Sequence, residues 1–286
     1  GPVTRQKLID MGVHSLLDIA VRGSSEIAVA IGWDLKKAEE LSNKARVKLV
    51  EIGRLERDFL PASEIYKSRH SITRIKTGCN NLDDLLAGGV ETQAVTEIYG
   101  EFGSGKTQIC HTLCCIVQQP VNEGGLNGNA IYVDTEGTFR PERIVSIAEA
   151  RGFNPEEILQ GIIVAKAYNS AHQELIVAET GKLIPKENIK LLIIDSAVAH
   201  FRAEFLGRGT LAERQQRLNR SMHRLVRTAE THNVAVIATN QVHSVPDTFF
   251  GDPSKGCAAT WDRRWIDGSH CQSAGRARRG VCARES

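Results

Sequence analysis

The sequence contains no apolar run long enough to cross a membrane and no recognisable signal for export. No stretch of 18 consecutive apolar residues occurs in the chain of 286, whereas a membrane-spanning helix needs roughly 20. The first residues also lack the basic and apolar segments of a signal peptide. We therefore expect a soluble protein of the cytoplasm, with no membrane among its partners.

The cysteines lack the spacing of a metal site or of a disulfide framework. The chain has seven, and no C-x-x-C pair occurs among them. Cys110, Cys114 and Cys115 fall on one predicted helix, where small buried thiols are the usual explanation. We expect neither zinc nor disulfide bonds, which agrees with a reducing cytosol.

The sequence also lacks a strong overall charge. Its formal net charge is +2, and this value favours no class of partner. Residues 1–255 carry 30 basic and 31 acidic side chains, whereas residues 256–286 carry six and three. Any surface that binds nucleic acid must therefore be a local patch.

What the chain does have is a division into parts with different patterns. It is long enough for one large α/β domain and a small accessory domain. Residues 1–50 read as short helices, with Ser15, Ser24 and Asp34 as predicted N-caps. The chain starts abruptly at Gly1, and we expect a further helix upstream. Residues 51–70 mix charges around the apolar tetrapeptide FLPA and are interpreted as a linker.

From residue 71 to residue 255, short β-rich apolar runs alternate with helical stretches. The runs are AVTEIY (94–99), NAIYVD (129–134), GIIVAKA (161–167), KLLIID (190–195) and NVAVIAT (233–239). This alternation predicts an α/β core, in which helices flank both faces of a mostly parallel sheet. Ligands of such sheets bind at the carboxyl ends of the strands.

Residues 256–286 do not continue this pattern. They show no helix or strand periodicity and hold two of the three tryptophans and three of the seven cysteines. We interpret them as disordered, and as an out-of-frame or cloning-derived segment; the alternative is a natural basic tail. The gene sequence beyond the codon for Lys255 distinguishes the two.

Residues 100–107 read GEFGSGKT between an apolar run and a helical one, which matches the phosphate-binding loop G-x-x-x-x-G-K-T. Its glycines let backbone N–H groups turn toward the phosphates. Lys106 is expected at the β- and γ-phosphates, and the Thr107 hydroxyl at Mg²⁺. The predicted nucleotide contacts of the loop are Gly100, Glu101, Phe102, Gly103, Ser104, Gly105, Lys106 and Thr107.

Acidic and amide side chains follow three of the predicted strands. Asp195 ends the run LLIID and is expected in the Mg²⁺ shell. Asp134 and Glu136 follow another run, and either acid can orient and deprotonate the attacking water. We favour Glu136 because it lies farther beyond the strand end. Gln241, in TNQ, is either a sensor of the γ-phosphate or an ordinary loop amide.

Four segments together resemble the RecA-like strand-exchange recombinases, most closely the archaeal ones. They are GEFGSGKTQ (100–108), GGLNGNAIYVDTEGTFRPERI (124–144), FRAEFLGRGTLAERQQRLN (201–219) and TNQV with FFGDPSK (239–255). The resemblance implies a RecA-like P-loop ATPase core. Residues 1–50 look like the second half of the helix-hairpin-helix domain that precedes this core in the family.

The resemblance implies a DNA-dependent ATPase that uses ATP and Mg²⁺. The implied site residues are Lys106, Thr107, Gln108 and Asp195 at ATP and Mg²⁺, Glu136 at the attacking water, Arg143 at adenine and Gln241 between the γ-phosphate and DNA.

The resemblance also implies two DNA-binding loops. The first loop spans residues 201–214, and the residues expected nearest DNA are Arg202, Arg208, Gly209 and Arg214. The second begins after Gln241 and runs through Phe249 and Phe250. From the residues alone, FRAEFLGRG suits contacts with a nucleic-acid backbone. The arginines that follow it also fit a solvated helix face.

The tetrapeptide FLPA matches the F-x-x-A motif by which one subunit of the family docks on the next. Phe59 and Ala62 would fill apolar pockets of the neighbour, and the linker would add a strand to its sheet. The implied partners are single-stranded and double-stranded DNA, further copies of the chain in a filament or ring, and recombination mediators.

The sequence departs from the family after GDPSK, where further core strands and a cap over the nucleotide are not recognisable. We therefore expect an unpaired strand edge and reduced activity. Two alternatives to a recombinase follow. One is an ATP-binding paralogue that acts as a filament mediator without strand exchange. The other is a ring helicase or clock-type ATPase, which FLPA and the helical domain disfavour.

Overall fold

A computed structural model describes residues 1–11, 13, 15–52, 59, 61–241 and 265–267. Of residues 21, 68, 208 and 265–267 it describes the backbone only. The second predicted DNA loop lies outside the described residues, as does most of the segment 256–286.

Four helices form the N-terminal part of the chain, in agreement with the helical reading of residues 1–50. They are α1 (Pro2–Asp10), α2 (Leu16–Val21), α3 (Ser24–Ile31) and α4 (Leu35–Glu51). Their apolar faces meet in a core of their own, which includes Ile27, Ala38 and Leu49. Buried residues at every third or fourth position give α3 and α4 one face that packs in this core.

Side-chain caps begin two of these helices, and the third differs from the prediction. Ser15 forms a capping box at the start of α2, and Asp34 accepts the backbone N–H of Lys37 at the start of α4. Ser24 is not an N-cap. Gly23 occupies that position of α3, and Ser24 is the first helical residue. The correction is a shift of one residue, and glycine is an acceptable N-cap.

The segment interpreted as a linker contains a helix that was not predicted. Residues Ala62–Ser68 form α5, and a 3-10 turn follows at Arg69–Ser71. A helix this short has too few turns to show a clear apolar period in sequence. Phe59 is 93% exposed and Ala62 is also exposed, so both docking candidates lie on the surface.

A parallel sheet forms the core. Its strands are β3 (Val95–Gly100), β4 (Asn129–Asp134), β5 (Ile162–Lys166), β6 (Ile189–Asp195), β7 (Ala235–Gln241) and β8 (Trp265–Asp267), in the order β5-β4-β6-β7-β3-β8. Every neighbouring pair is parallel. A small antiparallel pair, β1 (Arg74–Ile75) and β2 (Val90–Glu91), precedes the sheet. The five predicted apolar runs are thus five of its strands.

Helices connect the strands. They are α6 (Asn80–Leu85), α7 (Lys106–Ile116), α8 (Pro141–Ala150), α9 (Pro155–Gln160), α10 (Ser170–Lys186), α11 (Ala199–Glu204) and α12 (Leu211–His232), with 3-10 turns at Val121–Glu123 and Arg208–Thr210. Among the residues that the structure describes, none of the helices combines the length and apolarity that a membrane span requires.

The sheet is buried on both faces. Along β6, Leu191 and Ile193 belong to one apolar cluster, whereas Leu192 and Ile194 belong to a second cluster. Successive side chains of a strand point to opposite faces, so the two clusters lie on opposite sides of β6. Both faces of this strand exclude water, which explains the unbroken apolar run.

One part of the segment 256–286 contradicts the expectation that it has no strand. Residues Trp265–Asp267 form β8, which pairs with β3 in parallel register. Three residues are too few to show a period in sequence.

The cysteines of α7 should resist alkylation in the folded protein, whereas Cys79 should react. Cys110, Cys114 and Cys115 are fully buried, and Cys79 is exposed. Desolvation raises the pKa of the three buried thiols, to about 11 for Cys115. Because the thiolate is the reactive form, we expect iodoacetamide at neutral pH to label Cys79 at least about tenfold faster.

Peptide mass spectrometry after timed labelling measures the four rates separately. The same reaction in denaturant is the control, and there the difference should vanish. Equal rates in the native protein would show that α7 is not packed as described.

Candidate nucleotide-binding site

The predicted phosphate loop connects β3 to α7 at the carboxyl edge of the sheet. Gly103 and Gly105 adopt φ angles of +78° and +90°, which favour glycine. A Cβ at either position would meet no atom within 4 Å. The glycines are therefore needed for the backbone conformation, and the space that remains above the loop suits a phosphate. Helix α7 begins at Lys106, and the backbone N–H groups of its N-terminus can donate further hydrogen bonds to a bound phosphate.

Lys106 directs its ammonium group back over the loop. Its Nζ donates to the carbonyl oxygens of Gly100 (3.0 Å) and Glu101 (2.8 Å) and to Ser104 Oγ (3.4 Å). Partial desolvation lowers the pKa of Lys106, and the negative charge of Asp195 opposes this effect. The amine lies where it can contact a bound polyphosphate.

Asp195 is the centre of a hydroxyl cluster at the end of β6. Its carboxylate accepts hydrogen bonds from Thr107 Oγ1 (2.8 Å), Tyr132 Oη (2.5 Å) and Thr239 Oγ1. The predicted pair of Thr107 and Asp195 is therefore in direct contact. A hydroxyl and a carboxylate are oxygen ligands of the kind that Mg²⁺ prefers, so the residues fit this ion.

Two members of this cluster were missed in the sequence. Tyr132 is buried within a predicted strand, and desolvation raises the pKa of its hydroxyl. Thr239 belongs to the TNQ stretch, in which only Gln241 was singled out as a candidate. Both hold the Asp195 carboxylate in place from neighbouring strands, a role that becomes visible only once β4, β6 and β7 are adjacent.

The structure separates the two candidate acids after β4. Asp134 accepts backbone N–H groups from Gly137 (2.8 Å), Thr138 (3.0 Å) and Phe139 (3.2 Å). It is buried and shapes the turn that follows the strand. These contacts occupy the carboxylate, so Asp134 is poorly placed to take a proton from water.

Glu136, by contrast, is exposed beyond the strand end. Although the residue is exposed, partial desolvation of its carboxylate raises its pKa, as does the charge of Asp195, whereas Lys106 lowers it. A carboxylate with a raised pKa is a stronger base at neutral pH. The geometry thus supports the choice of Glu136 over Asp134, which stays a prediction.

Arg143, which was expected at adenine, lies beside Gln108, which was expected at ATP. Arg143 Nε, from α8, donates to Gln108 Oε1 of α7 at 2.5 Å. The two side chains are exposed, so the pair presents a planar polar surface beside the phosphate loop.

Gln241 is brought next to the phosphate loop by strand register. The parallel pairing of β3 and β7 places Gly100 opposite Gln241. Arg202 of the first predicted DNA loop donates from Nη1 to the Gln241 carbonyl oxygen at 2.5 Å. The phosphate loop, the candidate sensor and the first DNA loop therefore meet at one place.

The other residues predicted to bind DNA differ in their surroundings. Gly209 is exposed and Arg214 is half-buried, and the side chain of Arg208 lies outside the described atoms. Farther along α12, Arg217 donates to Glu174 at 2.9 Å, and its guanidinium lies over the rings of Phe201 and Phe205. Arg217 therefore helps to pack the first predicted DNA loop against α12. For the arginines of this helix, the sequence had suggested only DNA contacts or a solvated face.

A parallel sheet with a phosphate loop after one strand and a hydroxyl-bound aspartate after another defines a P-loop nucleotide-binding protein with a RecA-like core. Comparison with known proteins narrows the class. The family model described as Rad51 matches residues 68–259, about two thirds of the chain. The chain belongs to the Rad51 family, and the resemblance to RecA-like recombinases is confirmed.

Named relatives agree with this assignment. The chain is 57% identical over 255 residues to "DNA repair and recombination protein RadA" of Cenarchaeum symbiosum, which covers 89% of this chain and 64% of that protein. It is 47% identical over 255 residues to the protein of the same description from Aeropyrum pernix, which covers 89% and 78%. The chain thus spans less than two thirds of the length of the first relative.

Proposed function

We propose that this chain is an ATP-dependent DNA recombinase of the cytoplasm and nucleoid, which assembles on single-stranded DNA and exchanges strands with a homologous duplex during recombinational repair. The observation that carries the proposal is the register of β3 and β7. It places Gln241 beside the phosphate loop, while Arg202 of the first loop binds its carbonyl. Contact between a candidate nucleotide site and a predicted DNA-binding loop is the arrangement that an ATP-controlled DNA-binding protein needs.

The residues of the site divide the work of hydrolysis. Lys106 would hold the β- and γ-phosphates, and Thr107 and Asp195 would hold Mg²⁺. Arg143 would contact the base, and Gln108 would make a further contact with ATP. Glu136 would orient and deprotonate the attacking water. When bound, Mg²⁺ supplies charge neutralisation at the phosphate oxygens. Gln241 would report the state of the γ-phosphate to the DNA-binding loops.

Self-assembly would use Phe59 and Ala62 of one copy and the sheet of the next. Both residues are exposed, so a neighbouring copy can reach them. Within the described residues β5 pairs on one side only, with β4, and its Val164 is exposed. An added strand from the linker of a neighbour would cover this edge. The product is a helical filament or a ring.

The DNA partners need no base-specific contacts. Pairing between the bound strand and a duplex supplies sequence recognition, so the protein contributes backbone contacts and stacking. Mediators of recombination are further candidate partners. The alternative of a mediator without strand exchange is not favoured, because both named relatives are described as DNA repair and recombination proteins.

A strand-exchange assay tests the proposal. The purified chain is incubated with circular single-stranded DNA and a homologous linear duplex, with ATP, with ADP and without nucleotide. We expect joint molecules with ATP alone, since ATP must favour the DNA-binding state. A heterologous duplex is the control. Saturable DNA binding without joint molecules would favour the mediator, and equal DNA binding in all three conditions would overturn ATP control.

A further inference from the structure

A chain of polar side chains links the strand before the phosphate loop to the first DNA loop. Asn240 Nδ2 donates to Glu97 Oε1 of β3 at 2.8 Å. Arg202 Nη2 donates to Asn240 Oδ1 at 3.0 Å, and Arg202 Nη1 donates to the Gln241 carbonyl. Three hydrogen bonds therefore join β3, β7 and α11.

The position of this network ties it to the nucleotide site. Glu97 lies three residues before Gly100, where the phosphate loop begins. In the pairing of β3 with β7, Tyr99 lies opposite Asn240, and Gly100 lies opposite Gln241. A rearrangement at the carboxyl ends of these two strands must therefore move the acceptors that hold Arg202.

The network also carries complementary charges. Glu97 is half-buried, and desolvation raises its pKa, while the hydrogen bond from Asn240 and the charge of Arg202 lower it. A carboxylate removed from water needs such compensation. The amide of Asn240 serves as the bridge, because it donates to the acid and accepts from the base.

Arg202 cannot keep these bonds and also make a bidentate contact with DNA through the same atoms. Arginine binds phosphates in pairs of parallel N–H···O bonds. Both of its terminal nitrogens bond to the end of β7 here. A DNA phosphate that takes these nitrogens must displace Asn240 and the Gln241 carbonyl.

We propose that Glu97 is a positioning residue, which through Asn240 holds Arg202 against the end of β7 until a rearrangement at the nucleotide site releases it to DNA. The inference rests on the proposed function, because it assigns the regulation of that same site. When the Gln241 side chain binds ATP, the Gln241 backbone carbonyl moves away from Arg202. The strength with which Glu97 and Asn240 hold Arg202 then sets how much DNA binding depends on the nucleotide.

The test is the replacement Glu97→Leu, which removes the acceptor and its charge. The dissociation constant for a fluorescent oligothymidine is measured by anisotropy, with a slowly hydrolysed ATP analogue and with ADP, at one salt concentration. We expect affinity in ADP to rise about tenfold, or about 1.4 kcal/mol. Affinity with the analogue should change less than about twofold, and hydrolysis without DNA should stay within about twofold of the wild type.

Two further variants separate the network from general charge. Glu149→Leu removes the same charge from an exposed position on α8, and it should raise both affinities equally through electrostatics alone. Glu97→Gln keeps an oxygen that accepts from Asn240, so it should restore part of the discrimination between ATP and ADP. If Glu97→Leu does not fold, Asn240→Ala removes two of the bonds and leaves Glu97 in place.

The outcomes distinguish this inference from the function on which it rests. If the wild-type chain binds DNA equally with both nucleotides, the proposed function and the positioning role of Glu97 are both overturned. If the wild type discriminates between the ATP analogue and ADP, and Glu97→Leu and Asn240→Ala discriminate equally well, only the positioning role of Glu97 is overturned. Weaker DNA binding of both variants with both nucleotides would show that the network only supports the fold.

Discussion

Replacement of Glu136 by Gln is expected to leave ATP binding intact and to lower ATP turnover by about two to four orders of magnitude, the usual contribution of general base catalysis. Glutamine has nearly the same size and can still hydrogen-bond to water, but it cannot accept a proton. Binding of a fluorescent ATP analogue and single-turnover phosphate release measure the two properties separately. Unchanged turnover would remove Glu136 from this role.

The pH dependence of turnover is an independent test of the role of Glu136. The pKa of Glu136 is raised above the ordinary value of 4.5, and the deprotonated form is the active base. Turnover of the wild type should therefore fall as the pH drops through this raised pKa. The Gln variant should lose this acidic limb, since its amide does not titrate in the range.

Asp134→Asn is the matched control, because Asp134 is the other acid that the sequence offered. Its carboxylate accepts three backbone N–H groups, so we expect a loss of stability of roughly 1–3 kcal/mol. Turnover per folded molecule should fall by less than about tenfold. Loss of turnover in this variant, with normal turnover of Glu136→Gln, would exchange the two roles.

Replacement of Phe59 by Glu should prevent self-assembly. A buried aromatic anchor typically contributes 2–4 kcal/mol or more to an interface, so its loss weakens association at least about thirtyfold. A carboxylate forced into an apolar pocket adds a desolvation cost. Because Phe59 is 93% exposed in the single chain, the change should leave the fold and its thermal unfolding unaffected.

Light scattering with ATP and single-stranded DNA measures the effect. The control is Val121→Glu, since Val121 is also an exposed apolar residue and lies outside the docking motif. This variant should assemble as the wild type does. Assemblies of normal size from Phe59→Glu would exclude Phe59 as the anchor.

The strands of the sheet could be predicted because a strand that is buried on both faces appears in the sequence as an uninterrupted apolar run. Residues Leu191, Leu192, Ile193 and Ile194 are all buried, so the run has no polar interruption. The phosphate loop was equally visible, since its glycines and its lysine are contiguous in the chain. Both features depend on residues that are adjacent in the chain, so both can be recognised from the sequence.

Other features left no such pattern. The helix α5 and the strand β8 are too short to show a period, and the N-cap of α3 differs from the prediction by one residue. Tyr132 and Thr239 reach Asp195 from 63 and 44 residues away in the sequence. No spacing rule connects residues at such separations before the strand order is known.

By itself, the sequence determined that this chain has an α/β core with a phosphate loop and carboxylates at strand ends, because each of these depends on residues close together in the chain. Only the tertiary structure showed that Asp134 accepts three backbone N–H groups and shapes a turn, whereas Glu136 is exposed. It also decided that Arg202 binds Asn240 and the Gln241 carbonyl. These contacts follow from strand order and register, which a parallel sheet sets through long-range packing.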